Sequence, residues 1–268
     1  MATSDEIKKM VREKYTGIVL QEKSTGSSCG CGCKDELKYS IMADDYGSVE
    51  GYAPDADLGL GCGLPTKYAF IRPGDRVVDM GSGAGNDCFI AARETGLNGR
   101  VTGIDMTQAM VDKARENASK LGYRNVEFRL GEIEKTGLED NGTDVVISNC
   151  VFNLSPDKQA AFRETFRILR PGGHLSISDI VTDGILPAAL LKEAEMYAGC
   201  VAGALTEDIY LEIVRNTGFT DITIMKKRKI ELPVEITDRY RVTEELNRPD
   251  GPGIYSLSVF AKKPLKPE

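Results

Sequence analysis

Residues 77–89 read VVDMGSGAGNDCF, which is an apolar strand, three glycines at alternate positions and the start of a helix. Glycine has no Cβ, so a strand-to-helix turn built on Gly81, Gly83 and Gly85 lets a ligand approach the backbone closely. The G-x-G-x-G spacing differs from the G-x-G-x-x-G of dinucleotide-binding proteins. Taken alone, the loop is equally compatible with a tight turn that binds nothing.

Strands and helices alternate on either side of this turn, from about residue 66 to residue 181. The apolar patterns predict strands at residues 77–80, 101–104, 126–130, 144–148 and 174–181, the last after a turn at Pro171-Gly172-Gly173. Helices are predicted at residues 86–95, 107–121 and 157–169. This alternation is typical of an α/β fold, a parallel sheet with helices on both faces.

The remaining segments are less regular. A short helix is predicted at residues 5–15, and residues 24–33, STGSSCGCGC, form a loop that carries Cys29, Cys31 and Cys33. Residues 185–217 are predicted to be mostly helical, with late strands near 220–227 and 254–262. The interpretation divides the chain into a cofactor-binding part, residues 1–181, and a substrate-binding region, residues 182–268.

The composition excludes several functions. The 268 residues carry 34 Lys and Arg against 41 Asp and Glu, a net charge of −7, so a nucleic-acid partner is not expected. No apolar run approaches the roughly 20 residues that span a bilayer, and the N-terminus lacks an apolar signal core. We therefore expect a cytoplasmic protein with no membrane partner.

The numbers of histidines and cysteines limit the kinds of metal site and catalysis that the chain can support. His174 is the one histidine in the sequence, which excludes metal sites built from several histidines. There are seven cysteines, and a reducing cytosol keeps them as thiols by default. Thiols without histidines indicate ligation of a soft metal or metalloid, or redox chemistry.

Polar residues that follow the strands suggest a cofactor site. Asp105 ends the second strand about 20 residues after the glycine loop, where an acid can accept hydrogen bonds from both ribose hydroxyls. Asp79 precedes the loop, where a carboxylate can face a cationic amino group. Glu132 and Ile133 end the third strand and can border an adenine.

Four motifs in order, VVDMGSGAG, VTGIDM, LGEIE and LRPGG, resemble the class I S-adenosylmethionine-dependent methyltransferases over residues 66–181. The resemblance implies a Rossmann-like sheet, a smaller C-terminal α+β substrate-binding region and S-adenosylmethionine as cofactor. It implies cofactor contacts by Gly81, Gly83, Gly85, Asp105, Met106, Glu132 and Ile133. The predicted cofactor site also includes Asp79, Ser82 and Asn149.

Three cysteines occupy distinctive places. Cys62 lies in LGLGCGLP, Cys150 follows the fourth strand in VVISNCVFNLSPDK, and Cys200 lies in EMYAGCVAGAL. The carboxyl ends of parallel strands face the ligand crevice, which favours a role for Cys150. Buried cysteines also serve simply as packing residues, the interpretation preferred for Cys88 in the helix after the glycine loop.

The same blocks, from residue 58 to residue 204, are similar to those of the arsenite methyltransferases. The resemblance implies that Cys150 and Cys200 hold trivalent arsenic, and that Cys62 joins a thiol of the N-terminal loop in catalysis and redox cycling. Cys33 is the candidate there, with Cys29 and Cys31 left open. Glutathione or thioredoxin is the expected source of reducing thiols. Longer members of the family carry a further C-terminal domain.

The resulting hypothesis is methyl transfer from S-adenosylmethionine to arsenite held by Cys62, Cys150 and Cys200. Trivalent arsenic is thiophilic and keeps a lone pair when bound by thiolates, so its methylation needs no general base. Two alternatives stay open from the sequence. One is a methyltransferase for a small organic acceptor of the quinone or sterol type, and the other is a non-catalytic, thiol-based metalloid binder.

Overall fold

One eight-stranded sheet organises the molecule. The structure is a computed structural model that describes residues 3–24, 44, 46–47, 49–187, 203–232, 234–239, 241–246, 248 and 251–265. The strands are β1 (Arg76–Met80), β2 (Arg100–Asp105), β3 (Val126–Leu130), β4 (Thr143–Asn149), β5 (Leu169–Asp183), β6 (Leu205–Thr206), β7 (Thr220–Ile230) and β8 (Gly253–Lys262). The helices are α1 (Ser4–Ser24), α2 (Asn86–Thr95), α3 (Gln108–Leu121), α4 (Lys158–Ile168), α5 (Glu207–Thr217), α6 (Val234–Arg239) and α7 (Thr243–Leu246).

The strand order is β3-β2-β1-β4-β5-β8-β7, with β6 paired to β5. Strands β1 to β6 pair in parallel, whereas β8 runs antiparallel to both β5 and β7. The order reverses direction between β1 and β4, and in such sheets ligands bind outside the carboxyl ends of the strands at that point. The predicted α/β fold is confirmed.

Apolar side chains bury both faces of the sheet. Neighbouring residues of β1 point to opposite faces, so Val77 packs with Phe89 of α2 while Val78 packs with Phe162 of α4. Each of these side chains is at most 4% exposed. A third, smaller apolar cluster contains Cys62 and Cys150.

Three predicted element boundaries are wrong. Strand β5 begins at Leu169, so Pro171-Gly172-Gly173 lies within it rather than forming a preceding turn. Backbone hydrogen bonds from Gly172 to the Lys263 carbonyl and from Lys263 to the Gly173 carbonyl hold that segment in extended form. Helix α1 continues to Ser24, well past the predicted end at residue 15.

The third correction concerns the region predicted to be mostly helical, residues 185–217. Helix α5 covers its last part, from Glu207 to Thr217, but residues 185–187 are not helical and residues 205–206 form β6. Residues 188–202 lie outside the described part of the chain. The predicted late strands are found as β7 and β8.

The proposed division after residue 181 does not coincide with a break in the fold. It falls inside β5, and β8 pairs with β5 from His174 to Asp183. The C-terminal strands therefore extend the same sheet, and a separate substrate-binding region stays a prediction. Within the described residues, no helix is long and apolar enough to cross a membrane.

Candidate active site

An open cleft lies at the carboxyl ends of β1 and β4. Its lining includes the glycine loop after β1, the residues after β2, the residues after β4 and three side chains of α1. The predicted site residues that line it are Asp79, Gly81, Ser82, Gly83, Asp105, Met106, Ile133, Asn149 and Cys150.

The glycine loop owes its shape to two positions where a side chain does not fit. Gly81 has φ 79°, and a Cβ there would lie 2.2 Å from the Val151 side chain. Gly85 has φ 101°, and a Cβ would lie 2.9 Å from both Phe128 and Phe89. Gly85 therefore packs the turn against the core and is not among the cleft-lining residues, whereas Gly83 has open space where its Cβ would be.

Asp105 is fixed at the end of β2 by two backbone donors. Its carboxylate accepts hydrogen bonds from the Gly83 amide at 3.0 Å and the Thr107 amide at 2.8 Å. Burial raises the pKa of this carboxyl, and the two hydrogen bonds oppose that shift. The predicted ribose acceptor thus also ties the glycine loop to β2.

Glu132 and Ile133 separate in the structure. Ile133 lines the cleft, whereas the Glu132 side chain is 42% exposed and pairs with Lys8 of α1 at 2.7 Å. The cleft is lined instead by Glu134, which pairs with Lys8 at 3.2 Å. Sequence reasoning did not single out Glu134, although it stands in the same LGEIE motif.

Two buried acids occupy the end of the cleft near β1. Burial, and then the nearby charge of Asp87, raise the pKa of Asp79 well above its usual range. Burial raises the pKa of Asp87 to about 6, against hydrogen bonds from Asn149 and Tyr46 that lower it. Two desolvated carboxylates in one cleft favour a cationic ligand group.

Asp87 and Tyr46 were missed from the sequence. Asp87 stands directly after the glycine loop, in the first turn of α2, and that position was an available signal. Tyr46 lies in an irregular stretch that offers no pattern. Cys88 donates from Sγ to the Asp79 carboxylate at 3.3 Å and is fully buried, in agreement with its predicted packing role.

The Asn149 side chain joins the cofactor end of the cleft to the loop that carries Cys62. Its Oδ1 accepts hydrogen bonds from the Cys62 amide at 2.9 Å and the Gly63 amide at 3.3 Å. Its Nδ2 donates to Tyr46 Oη at 2.6 Å and to Asp87 Oδ2 at 3.1 Å. Asn149 therefore fixes Cys62 relative to Asp87 at the start of α2.

Cys62 and Cys150 lie close together at the side of this cleft. They are distant in the sequence, since Asn149, which directly precedes Cys150, is 87 positions from Cys62. Their Sγ atoms and a carboxylate oxygen of Asp179 all lie within 4.8 Å of one another, and the three residues are buried. Cys150 has φ 61°, in the left-handed region that residues other than glycine rarely adopt. This conformation turns the chain sharply as β4 ends, with Cys150 on the cleft wall.

Asp179 is a further residue that sequence reasoning missed. It is fully buried in β5 and accepts a hydrogen bond from Tyr210 Oη at 3.3 Å. Burial raises the pKa of its carboxyl to about 7, against the charge of Lys158. The available signal was an acid in the middle of the otherwise uncharged strand sequence SISDIV.

Four predicted thiols cannot be placed. Cys29, Cys31, Cys33 and Cys200 lie outside the described residues. His174 is described, and its Nε2 lies 2.5 Å from the Ala69 carbonyl oxygen, remote from the cleft lining. This contact agrees with a structural role for the histidine.

The side chains that line the cleft are chemically suited to S-adenosylmethionine. The buried acids Asp79 and Asp87 suit the cationic amino group, and Asp105 suits the ribose hydroxyls. Ser82 lines the cleft, and its hydroxyl is buried with no hydrogen-bond partner among the described residues. An unsatisfied buried hydroxyl is costly, and a polar ligand in the cleft would supply its partner.

Comparison with known proteins agrees with this geometry. A methyltransferase-domain family matches residues 71–218. An arsenite methyltransferase of Halobacterium salinarum is 41% identical over 98% of this chain and 68% of its own length. An arsenite methyltransferase of Aquipseudomonas alcaligenes is 39% identical over 84% of this chain and 65% of its own length. The chain thus spans about two thirds of the length of these relatives.

A solved structure shows the same relationship. The arsenic(III) S-adenosylmethionine methyltransferase of Chlamydomonas reinhardtii superposes with a TM-score of 0.66 at 34% identity, covering 87% of this chain and 75% of that one. Fold, cleft and relatives together define an S-adenosylmethionine-dependent class I methyltransferase. Within that class, the chain belongs to the arsenite methyltransferase family.

Proposed function

We propose that this chain methylates trivalent arsenic, using S-adenosylmethionine as methyl donor, and that its role is arsenic detoxification. The observation that carries the proposal is the pair of buried cysteines, Cys62 and Cys150, whose sulfur atoms lie within 4.8 Å of each other beside the cleft. A methyltransferase for a quinone- or sterol-type acceptor needs the cleft but not the two thiols. A non-catalytic metalloid binder needs the thiols but not the cofactor cleft.

The cofactor would lie with its ribose on Asp105, its amino group toward Asp79 and Asp87, and its adenine beside Met106 and Ile133. Ser82 and Gly83 would contact it through the glycine loop. Bound S-adenosylmethionine supplies an electrophilic methyl group on a sulfonium sulfur. What the chain contributes is alignment, which by itself supplies several kcal/mol toward such a reaction.

Cys150 on the cleft wall and Cys62 behind it would hold the arsenic, with Cys200 as the third thiolate. Asn149 is the positioning residue, because its amide fixes Cys62 and also contacts Asp87. Arsenic bound by thiolates keeps a lone pair, so no side chain has to remove a proton from the attacking atom. This chemistry is compatible with the near absence of histidine.

The proposal extends to a reducing partner. Cys33, or Cys29 or Cys31 in its place, would exchange with Cys62, and glutathione or thioredoxin would reduce any disulfide formed. Such reductants are maintained in the cytoplasm, which is therefore the proposed location.

The test is methyl transfer from labelled S-adenosylmethionine to arsenite by the purified chain, with and without glutathione. Labelled methylarsenicals are expected only when both arsenite and thiol are present. Cys150→Ser is expected to abolish labelling while cofactor affinity, measured by calorimetry, stays near the wild-type value, since serine offers no soft ligand.

Cys88→Ser is the matched control, because Cys88 is equally buried but lies outside the thiol pair. It is expected to retain labelling. If Cys88 proves essential and Cys150 dispensable, the assignment of the arsenic ligands is wrong. A wild-type chain that binds the cofactor but labels no arsenical contradicts the proposed function itself.

A further inference from the structure

The cluster of Cys62, Cys150 and Asp179 contains a carboxylate that arsenic chemistry does not use. The three residues come from the glycine-rich loop before β1, the end of β4 and the middle of β5, and all are buried. We propose that these residues form a binding site for a thiophilic divalent cation of the Zn²⁺ and Cd²⁺ class. This second ligand goes beyond the proposed function and does not rest on it.

The donor set matches such a cation. Zn²⁺ is bound by cysteine sulfur and by carboxylate oxygen, so both kinds of donor in this cluster suit it. A softer ion is bound by the sulfur atoms alone. Two Zn–S bonds of about 2.3 Å at a tetrahedral angle place the sulfur atoms roughly 3.8 Å apart. Because the ligand atoms already lie within 4.8 Å of one another, the sulfur–sulfur distance has to shorten by about 1 Å at most to close the site.

Hydrogen bonds hold all three ligand residues in place. The Asp179 carboxylate accepts from Tyr210 Oη at 3.3 Å and from the Ile180 amide at 3.2 Å. The Cys62 carbonyl accepts from Ser256 Oγ at 2.5 Å, and the Cys150 amide donates to the Ser178 carbonyl at 2.7 Å. Outer contacts of this kind orient metal ligands and are part of a built site.

Charge and access are also suitable. Two thiolates and one carboxylate exceed the charge of a divalent cation by one unit, and the Lys158 ammonium acts on the Asp179 carboxylate electrostatically. Cys150 lines the cleft, so an ion can enter from that side. The fourth position of a tetrahedral site is left for water, as in open zinc sites.

The experiment is titration of the full-length reduced chain with Cd²⁺, followed by the thiolate-to-cadmium charge-transfer absorption. To remove other thiols, the parent variant carries serine at positions 29, 31, 33 and 200. Its fold is checked by S-adenosylmethionine binding. One Cd²⁺ per chain is expected, displaced by excess Zn²⁺.

Added to this parent, Cys62→Ser, Cys150→Ser and Asp179→Asn are each expected to weaken Cd²⁺ binding tenfold or more, while Cys88→Ser leaves it unchanged. A folded parent that binds no Cd²⁺ overturns the site, and an Asp179→Asn variant with unchanged affinity removes Asp179 from it. If Asp179→Asn does not fold, the Cd²⁺-induced infrared difference spectrum of the parent decides, because a shifted carboxylate band is expected and its absence overturns the assignment. No arsenite is present, so a chain that fails to methylate arsenic would leave every Cd²⁺ readout intact.

Discussion

At the scale of single residues, the cleft depends on polar side chains that each make more than one contact. Asp105 joins the glycine loop to β2, and Asn149 joins the loop of Cys62 to Asp87. Each of these side chains fixes the backbone of a neighbouring loop as well as presenting a group to the cleft. Replacing one of them therefore changes both a ligand contact and the position of a loop.

Asp105→Ala is expected to weaken S-adenosylmethionine binding tenfold to a hundredfold. Loss of a charged hydrogen-bond acceptor costs about 1.5–3 kcal/mol, which is that range of dissociation constants. Calorimetric titration measures it. Asp112→Ala is the control, because Asp112 is an exposed acid on α3 whose removal should leave cofactor affinity unchanged. An unchanged dissociation constant for Asp105→Ala contradicts the ribose assignment.

We expect Asp87 to give cofactor binding a pH dependence. Its pKa of about 6 means that the carboxyl takes up a proton as the pH falls through that value, and a cationic ligand group then loses its partner. Affinity is expected to be full above this range and roughly tenfold weaker one pH unit below the pKa. In the unliganded protein the sign is opposite, since the raised pKa favours folding when Asp87 is protonated, and that contribution is lost as the pH rises through about 6.

The measurement is the dissociation constant of S-adenosylmethionine from pH 5 to pH 8 for wild type and Asp87→Asn. The variant is expected to bind more weakly at pH 8 and with a much flatter profile. If Asp87→Asn keeps the full pH dependence of the wild-type dissociation constant, a group other than Asp87 causes that dependence.

At the scale of elements, helix α1 forms one wall of the cleft. Lys8, Val11 and Tyr15 line it, and the Lys8 ammonium pairs with Glu132 and Glu134 after β3. The side chains of Lys8 and Glu134 are 14% and 13% exposed, so this pair is better shielded than a surface ion pair. The predicted helix end at residue 15 was too early, but the part of α1 that meets the cleft lies within the predicted segment.

Lys8→Ala is therefore expected to speed release of S-adenosylmethionine about fivefold, since an ion pair of this kind contributes about 1 kcal/mol. Stopped-flow displacement by S-adenosylhomocysteine measures the rate. Lys9→Ala is the matched control, because the Lys9 side chain is 72% exposed and pairs with Glu13 of the same helix. Equal release rates for the two variants would mean that the ion pairs of Lys8 do not hold α1 over the cleft.

At the scale of the whole molecule, the sequence predicted what is encoded locally. The apolar patterns of β1 to β4 and the glycines after β1 are each contained in a few consecutive residues. The class of sheet and the position of the glycine loop could therefore be predicted from the sequence. Resemblance to a known family pointed to Cys62 and Cys150. Asp179 and Tyr46 were not predicted, because their roles arise from contacts between distant segments: Tyr46 Oη lies 3.0 Å from Asp87 across 41 positions of the chain. The start of β5 was misplaced because contacts with Lys263 outweigh the local turn signal of Pro171-Gly172-Gly173.

The proposed arsenic ligands are Cys62 and Cys150, beside the cofactor cleft. Arsenic X-ray absorption of the arsenite-loaded chain, with the cysteines of residues 29–33 changed to serine, tests this assignment most directly. Three sulfur neighbours are expected around arsenic, and Cys88→Ser is expected to give the same spectrum. In the double variant Cys62→Ser/Cys150→Ser, bound arsenic is expected to disappear or to lose its sulfur neighbours. Full arsenic–sulfur coordination in that double variant would exclude Cys62 and Cys150 as the arsenic ligands.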